Sequence, residues 1–230
     1  MIEVSHLSKS YGSRPAVQDL SFTVPDGQIY GLLGPNGAGK STIMNILTGY
    51  LAPTEGEVKV AGFRLPEQAQ QAKACVDYLP EQPPLYMDMT VKEYLNFVYG
   101  LKNCRLPRAQ HIKEICEVVR IGDVYGRIIK NLSKGYRQRV GIAQALIGNP
   151  KVLIFDEPTV GLDPKQIIEI RNLIKLLGKE HTVILSTHIL PEVQAVCDRI
   201  VVIDKGVIVA NEKTEDLINA VEGSRRLIAK

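Results

Sequence analysis

Short apolar segments separated by turn residues fill the first third of the chain. Their length and their flanking glycine, proline and aspartate residues are typical of β-strands. The predicted strands are Ile2–Val4, Leu20–Val24, Ile29–Leu33 and Val58–Val60. One helix interrupts them, which begins in the loop Gly34–Lys40 and stops at Gly49 with Pro53 beyond. This part of the chain is therefore predicted to be mostly β-structure.

The apolar period becomes helical at about Leu85. Thr90 and Glu93 have the spacing of a capping box, in which each side chain accepts from a free backbone N–H at the start of a helix. A later set recurs at the i, i+3, i+4, i+7 spacing of one helix face: Ile112, Ile115, Cys116 and Val119. Residues 85–150 are therefore predicted to form a helical subdomain.

Continuous apolar runs return after Pro150 and alternate with helical segments. The runs are Val152–Phe155, Val183–Leu185 and Ile200–Ile203, and the helical segments lie near Ile167–Leu177 and Pro191–Cys197. Buried parallel strands with crossover helices have this pattern. The prediction is one α/β domain over residues 1–230, with a core of residues 1–84 and 151–230 into which the helical subdomain is inserted. The polar segment after about Asn211 carries little signal.

A glycine-rich loop directly follows the predicted strand Ile29–Leu33. It reads Gly34-Pro35-Asn36-Gly37-Ala38-Gly39-Lys40-Ser41, with Thr42 next, and has the P-loop spacing of glycines, lysine and serine. Glycines let several backbone N–H groups point inward, and the helix N-terminus adds positive potential. Lys40 would then reach the outer phosphates of a nucleotide, and the Ser41 hydroxyl would bind Mg²⁺. A flexible glycine turn is the alternative, and the flanking strand and helix argue against it.

Two acids, Asp156 and Glu157, follow the apolar run Val152–Phe155. Because ligands bind at the carboxyl edge of a parallel sheet, we expect both acids beside the P-loop. Asp156 can hold Mg²⁺ through its water shell while Glu157 polarises the attacking water, as phosphoryl transfer requires. His188 follows the next strand-like run, where a hydrogen bond to the γ-phosphate becomes possible.

Composition narrows the classes of function. Lys plus Arg (28) barely exceed Asp plus Glu (25), and the net charge of +3 is too small to predict nucleic-acid binding by bulk electrostatics. The four cysteines have no CxxC spacing, which predicts reduced thiols and fits a reducing cytosol. No apolar run approaches the roughly 18 residues of a membrane span, and the N-terminus lacks a signal-peptide pattern. We therefore expect any membrane role to be peripheral.

The order of the motifs resembles that of the nucleotide-binding domain of ABC ATPases over nearly the whole chain. The family's motifs appear as a P-loop at Gly34–Thr42, a signature at Leu132–Tyr136, Walker B at Ile154–Glu157, a D-loop at Gly161–Asp163 and a switch histidine at His188. The signature distinguishes ABC proteins from other P-loop NTPases. The resemblance implies a P-loop NTPase core with a mostly parallel sheet and flanking helices, an N-terminal antiparallel β-subdomain and an inserted helical subdomain.

The resemblance also implies the residues that bind ATP. Ser133 and Gly135 open a helix, Tyr136–Leu146, whose N-terminal N–H groups can bind an anion. The resemblance implies that these residues contact ATP bound to a partner subunit. The dimer would be an ATP-dependent head-to-tail homodimer or a heterodimer with a related subunit. Tyr11 resembles the aromatic residue that stacks on adenine, and Asp163 is counted with the cofactor-binding set.

Two sites depart from the family pattern. Lys134 and Tyr136 replace the usual signature glycine and glutamine, which resembles the subgroup that serves ABC-2-type exporters, including gliding-motility-associated ATP-binding proteins. The Q-loop glutamine aligns with Glu81, a carboxylate that can accept from Mg²⁺-bound water but lacks the amide donor. Either Glu81 takes this role or Gln82 does by a one-residue shift, and we favour Glu81.

The resemblance implies an ATPase subunit of a membrane transporter, on the cytoplasmic face of the inner (plasma) membrane. ATP and Mg²⁺ are the implied cofactors, and separate transmembrane permease subunits are the implied partners. Substrate movement, in the outward direction if the subgroup resemblance holds, would follow closure and reopening of the dimer. An ABC ATPase acting on nucleic acid or the ribosome is the alternative, but the chain shows neither a coiled-coil insertion nor a second cassette. A regulatory module without turnover is disfavoured by the intact set Lys40, Asp156, Glu157 and His188.

Overall fold

A computed structural model describes residues 1–217 of the chain. Its strands are β1 Ile2–Tyr11, β2 Arg14–Val24, β3 Ile29–Leu33, β4 Glu55–Val60, β5 Phe63–Leu65, β6 Val76–Leu79, β7 Val152–Asp156, β8 Thr182–Thr187, β9 Arg199–Asp204 and β10 Val207–Lys213. Its α-helices are α1 Lys40–Leu47, α2 Ala69–Lys73, α3 Val91–Leu101, α4 Arg108–Val119, α5 Lys134–Leu146, α6 Pro164–Leu177 and α7 Leu190–Val196. Short 3-10 turns at Gly122–Val124 and Ile129–Asn131 connect α4 to α5.

The strands form two sheets. One is antiparallel and has the order β2-β1-β4-β5. The other has the order β10-β9-β3-β8-β7-β6 and is parallel except for the β9–β10 pair. The predicted class, an α/β fold with a mostly parallel sheet and an N-terminal antiparallel sheet, is confirmed.

The central sheet is buried on both faces, which explains the continuous apolar runs in its strands. Side chains alternate between faces along a strand, so Val152 and Ile154 pack with α1 and the antiparallel sheet. Leu153 and Phe155 point the other way and pack with the helices on the opposite face of the sheet. Both faces of β7 are therefore packed, which fixes the position of Asp156 at the end of the strand.

Local caps fix the starts of two helices in the inserted region. The predicted capping box is present, because Thr90 Oγ1 accepts from Glu93 N at 3.2 Å and Glu93 Oε2 accepts from Thr90 N at 2.8 Å. The backbone hydrogen bond from Thr90 lowers the pKa of Glu93. Ser133 caps α5, which begins at Lys134, two residues earlier than predicted. Helices α3, α4 and α5 all fall inside residues 85–150.

The prediction of a single helix in the first third is wrong, since α2 also lies there. This helix has five residues, too few to show an apolar period. Strands β5, β6 and β10 were not predicted either, and β10 runs through the segment that carried little signal. Residues 218–230 of the predicted core lie outside the described residues. Across residues 1–217 no helix is both long and apolar enough to cross a membrane.

Candidate functional site

The glycine-rich loop connects β3 to α1 and curls around the lysine at the start of that helix. Lys40 is 6% exposed, and its Nζ donates to Gly34 O at 2.6 Å and to Pro35 O at 3.2 Å. Gly37 and Gly39 have φ values of 80° and 109°, in the left-handed region that favours glycine. A Cβ on Gly34 would lie 2.3 Å from a backbone oxygen of β9. The loop geometry therefore requires glycine at these positions.

This loop borders an open cavity of about 340 Å³. The lining residues are Ala16, Asn36, Gly37, Gly39, Lys40, Ser41, Thr42, Glu81, Asp156 and Glu157. The N-terminus of α1, with its unpaired N–H groups, opens into the same space, so the cavity combines positive helix potential with a cation. Most of the predicted P-loop residues are thus brought together with Asp156 and Glu157. Glu81 lines the cavity, whereas Gln82 does not belong to its lining.

Asp156 is the last residue of β7 and is 9% exposed. Burial raises its pKa, while the hydrogen bond from Tyr78 and the charge of Lys40 lower it. The Tyr78 hydroxyl donates to Asp156 Oδ2 at 3.2 Å from the neighbouring strand β6. The same burial, with the Asp156 charge, raises the pKa of Tyr78, so this hydroxyl remains a donor.

Glu157 lies just beyond the end of β7 and is 8% exposed. Its backbone has φ 47°, which non-glycine residues rarely adopt, and its N–H donates to Ser186 O at 2.9 Å. His188 Nδ1 lies 3.0 Å from both carboxylate oxygens of Glu157, and Lys40 Nζ lies 3.8 Å from Oε1. All three predicted catalytic residues therefore converge around one carboxylate.

Seven residues of the predicted nucleotide set lie outside the cavity lining: Tyr11, Gly34, Pro35, Ala38, Ser133, Gly135 and Asp163. Tyr11 is 53% exposed at the end of β1, with Lys9 Nζ 5.6 Å from its ring centroid. Asp163 caps α6, where its Oδ1 accepts from Gln166 N at 3.0 Å. Sequence reasoning missed Ala16 in the lining, since nothing in the local pattern of β2 distinguishes it.

The signature residues lie in a separate cavity of about 220 Å³, lined by Arg120, Ser133, Gly135, Tyr136, Arg139, Gln166 and Glu169. Ser133 is exposed, and its hydroxyl accepts from Tyr136 N at 3.3 Å. A Cβ on Gly135 would lie 2.6 Å from Gln166 Cδ, so α5 and α6 approach closely there. Lys134 extends over the D-loop, where its Nζ would lie 2.2 Å from a Cβ on Gly161. The structure therefore places the P-loop residues and the signature residues at two separate cavities.

Comparison with known proteins identifies the family of the chain. A family model described as ABC transporter matches residues 17–160. The chain is 38% identical to the Nod factor export ATP-binding protein I of Rhizobium meliloti, over 95% of this chain and 66% of that protein. It is 37% identical to the lantibiotic transport ATP-binding protein SrtF of Streptococcus pyogenes, over 95% of this chain and 96% of that protein.

Solved structures agree as well. Similarity to cbiO1 from Clostridium perfringens, part of the ABC transporter complex cbiONQ, has a TM-score of 0.87 at 25% identity and covers 100% of this chain and 94% of that one. A dimeric post-hydrolysis state of the ATP-binding cassette MJ0796, bound to ADP and Pi, has a TM-score of 0.82 at 26% identity and covers 93% and 99%. The chain belongs to the ABC transporter family, as an ATP-binding subunit of the kind that hydrolyses ATP to power transport.

Proposed function

We propose that this subunit hydrolyses MgATP in the P-loop cavity and that hydrolysis drives export through separate transmembrane subunits. The observation that carries the site assignment is the convergence of His188 and Lys40 on Glu157, at 3.0 Å and 3.8 Å. In this proposal Glu157 polarises the attacking water and Lys40 binds the outer phosphates. His188 uses one ring nitrogen for Glu157 and the other for a γ-phosphate oxygen.

The oxygen donors of the cavity fit Mg²⁺. Ser41, Glu81 and Asp156 line the same space and offer a hydroxyl and two carboxylates, the hard donors that this ion prefers. They would hold it together with water and phosphate oxygens. When bound, Mg²⁺ supplies positive charge to the phosphate oxygens. The Tyr78 hydroxyl on Asp156 Oδ2 fixes the orientation of that carboxylate.

The nucleotide contacts that the cavity lacks would come from a second subunit. Ser133 is exposed at the N-terminus of α5, whose backbone N–H groups suit an anion. We propose a head-to-tail dimer, of two copies or with a related subunit, in which Ser133 and Gly135 bind ATP held by the partner. The dimeric cassette among the structural relatives supports this arrangement. Tyr11 and Asp163, exposed in the single chain, would contact the nucleotide site on closure.

An aromatic surface beside the Q-loop is the proposed contact with the membrane subunit. The Tyr86 ring centroid lies 5.2 Å from that of Phe97 and 5.9 Å from that of Tyr94. Tyr86, Phe97 and Leu101 are 51%, 40% and 70% exposed. Glu81 lines the P-loop cavity and precedes Tyr86 by a few residues. Nucleotide binding at this cavity would therefore affect a permease helix that docks beside Tyr86. Docking would hold the subunit on the cytoplasmic face of the membrane.

The experiment mixes two variants, each with one of the two cavities damaged. Both variants also carry Glu157→Gln, because loss of a catalytic acid–base group slows turnover by about 10²–10⁴-fold. Lys40→Ala removes the P-loop cation, and Ser133→Arg fills the signature cavity. A mixed dimer then has one site with both halves intact and one with both halves damaged. ATP-dependent dimerisation is measured by light scattering or size exclusion.

We expect each variant alone to stay monomeric with ATP and the mixture to dimerise. The Glu157→Gln protein without further changes is the control and should dimerise at the same ATP concentration. If that control dimerises and the mixture does not, the composite site is wrong. Near-normal phosphate release by the Glu157→Gln protein would remove the role assigned to Glu157.

A further inference from the structure

A buried carboxylate lies behind the catalytic pair. Glu192, on α7, is 3% exposed and belongs to none of the motifs that the sequence indicated. A fully buried glutamate is rare unless its oxygens are paired, because desolvation of an unpaired charge is costly. Its two oxygens are divided between two different loops.

One oxygen holds the loop after Glu157. Thr159 Oγ1 donates to Glu192 Oε1 at 2.7 Å, and Thr159 is 3% exposed. Thr159 lies inside the turn that Val160 N closes by donating to Glu157 O at 3.2 Å. Since the φ of 47° at Glu157 is unfavourable, the surrounding contacts must hold this backbone in place.

The other oxygen holds the loop that carries His188. Thr187 Oγ1 donates to Glu192 Oε2 at 2.9 Å, and the same hydroxyl accepts from Ile189 N at 3.1 Å. Thr187 is fully buried. The hydroxyl therefore fixes the backbone on both sides of His188, and the carboxylate of Glu192 fixes the hydroxyl.

We propose that Glu192 is a positioning residue for ATP hydrolysis, which fixes Glu157 and His188 relative to each other through Thr159 and Thr187. The inference rests on the catalytic roles proposed above. A carboxylate suits this task because it accepts from two hydroxyls at once and competes with neither as a donor. Arg171 Nη2, 3.6 Å from Glu192 Oε1, provides the nearby positive charge from α6.

The first test compares Glu192→Gln with the wild-type chain in steady-state ATP hydrolysis. Glutamine keeps the shape but presents an NH₂ group to one of the two threonine hydroxyls. We expect kcat to fall about tenfold or more with KM for ATP changed less than about twofold, because the loss concerns the transition state. ATP-dependent dimerisation in a Glu157→Gln background should be unchanged. A kcat within twofold of wild type, or a loss confined to KM, overturns the proposal.

The control is Asp198→Asn. Asp198 follows α7 and its Oδ2 accepts from Ile29 N at 2.8 Å, so it ties the same region to the opposite end of the sheet. It contacts neither catalytic loop, and we expect wild-type kcat from this variant. Equal losses of kcat from Asp198→Asn and Glu192→Gln would indicate a general packing effect and overturn the positioning role.

Threonine variants keep the proposal testable if Glu192→Gln folds poorly. Thr187→Ser and Thr159→Ser retain the hydroxyl and should keep kcat near wild type, whereas Thr187→Val and Thr159→Val should lower it about tenfold. Serine variants as slow as the valine variants overturn the proposal. Glu157→Gln in the same assay separates the two hypotheses: if it hydrolyses ATP normally, the catalytic assignment fails. If it is inactive while the valine variants are normal, only the positioning role fails.

Discussion

The ion pair between Asp77 and Lys102 makes the free energy of unfolding depend on pH. The substitution Asp77→Asn tests this dependence. Asp77 lies in β6, and Lys102 Nζ donates to its Oδ2 at 2.6 Å and to Gln144 O and Ile147 O at 2.8 Å and 3.0 Å. The pair thus joins the end of α3 and the end of α5 to the central sheet. Burial raises the pKa of Asp77 to about 6 and lowers the pKa of Lys102, so desolvation outweighs their attraction.

The sign of the pH effect follows from the direction of the Asp77 shift. The folded protein binds the proton more tightly than the unfolded chain, in which the pKa is near its ordinary value of 3.8. The contribution of Asp77 to the free energy of unfolding is therefore greatest at low pH and is lost as the pH rises through 6. At about 1.4 kcal/mol for each pKa unit the full effect is about 3 kcal/mol, of which about 2 kcal/mol falls between pH 4 and pH 7.

The assay is urea unfolding of the wild-type chain and of Asp77→Asn at pH 4, 5.5 and 7. Groups that do not contact Asp77 titrate alike in both proteins, so the difference in unfolding free energy isolates this carboxylate. We expect the wild type to lose about 2 kcal/mol relative to Asp77→Asn as the pH rises from 4 to 7. Asp88→Asn is the control, because Asp88 pairs with Lys130 on the surface with its side chain 90% exposed. A difference between wild type and Asp77→Asn that stays constant over this range would refute the reasoning.

Three further substitutions test features near the P-loop cavity and the signature cavity. Lys134→Gly should lower the unfolding free energy by about 0.5–1 kcal/mol in urea, because α5 gains a flexible glycine; an unchanged midpoint would contradict this. Glu81→Gln should raise the Mg²⁺ concentration needed for half-maximal ATP hydrolysis about two- to fivefold, because a carboxylate proposed to hold Mg²⁺ becomes a neutral amide. An unchanged Mg²⁺ requirement would count against this role of Glu81. Tyr136→Phe removes the hydroxyl that donates to Asp123 Oδ2 at 2.6 Å. Loss of this hydrogen bond should lower the unfolding free energy by about 0.5–1.5 kcal/mol. A variant more stable than wild type would argue against the bond.

Sequence reasoning worked where the chemistry is local or follows from a general rule of topology. The P-loop is contiguous, so its spacing alone predicts the turn that the structure has around Lys40. Glu157 was expected beside the P-loop and His188 near the γ-phosphate, because both follow strands whose carboxyl ends meet at one edge of a parallel sheet. The structure adds their distance of 3.0 Å.

The remaining contacts depend on strand order and side-chain geometry, which the pattern does not encode. Tyr78 meets Asp156 only because β6 lies next to β7, and no local signal predicted β6. Glu192 reads as one polar residue of a short helix, and its role is visible only when its two hydroxyl partners are known. The edge strand β10 alternates between partly buried and exposed residues, which gives a weak apolar signal.

The charge of the P-loop cavity favours the proposed dimer, in which one subunit alone does not form a complete ATP site. Among the residues that line it, Lys40 is a cation, whereas Glu81, Asp156 and Glu157 carry carboxylates. A triphosphate adds several negative charges, and like charges at close range repel strongly in a partly buried site. The backbone N–H groups of the P-loop would offset part of this repulsion. In the proposed dimer, bound Mg²⁺ and the positive N-terminus of a partner's signature helix would supply the rest. Because Ser133 lies in a different cavity of its own chain, closure of the proposed dimer would be coupled to ATP by electrostatics. Loss of the γ-phosphate on hydrolysis would weaken that coupling.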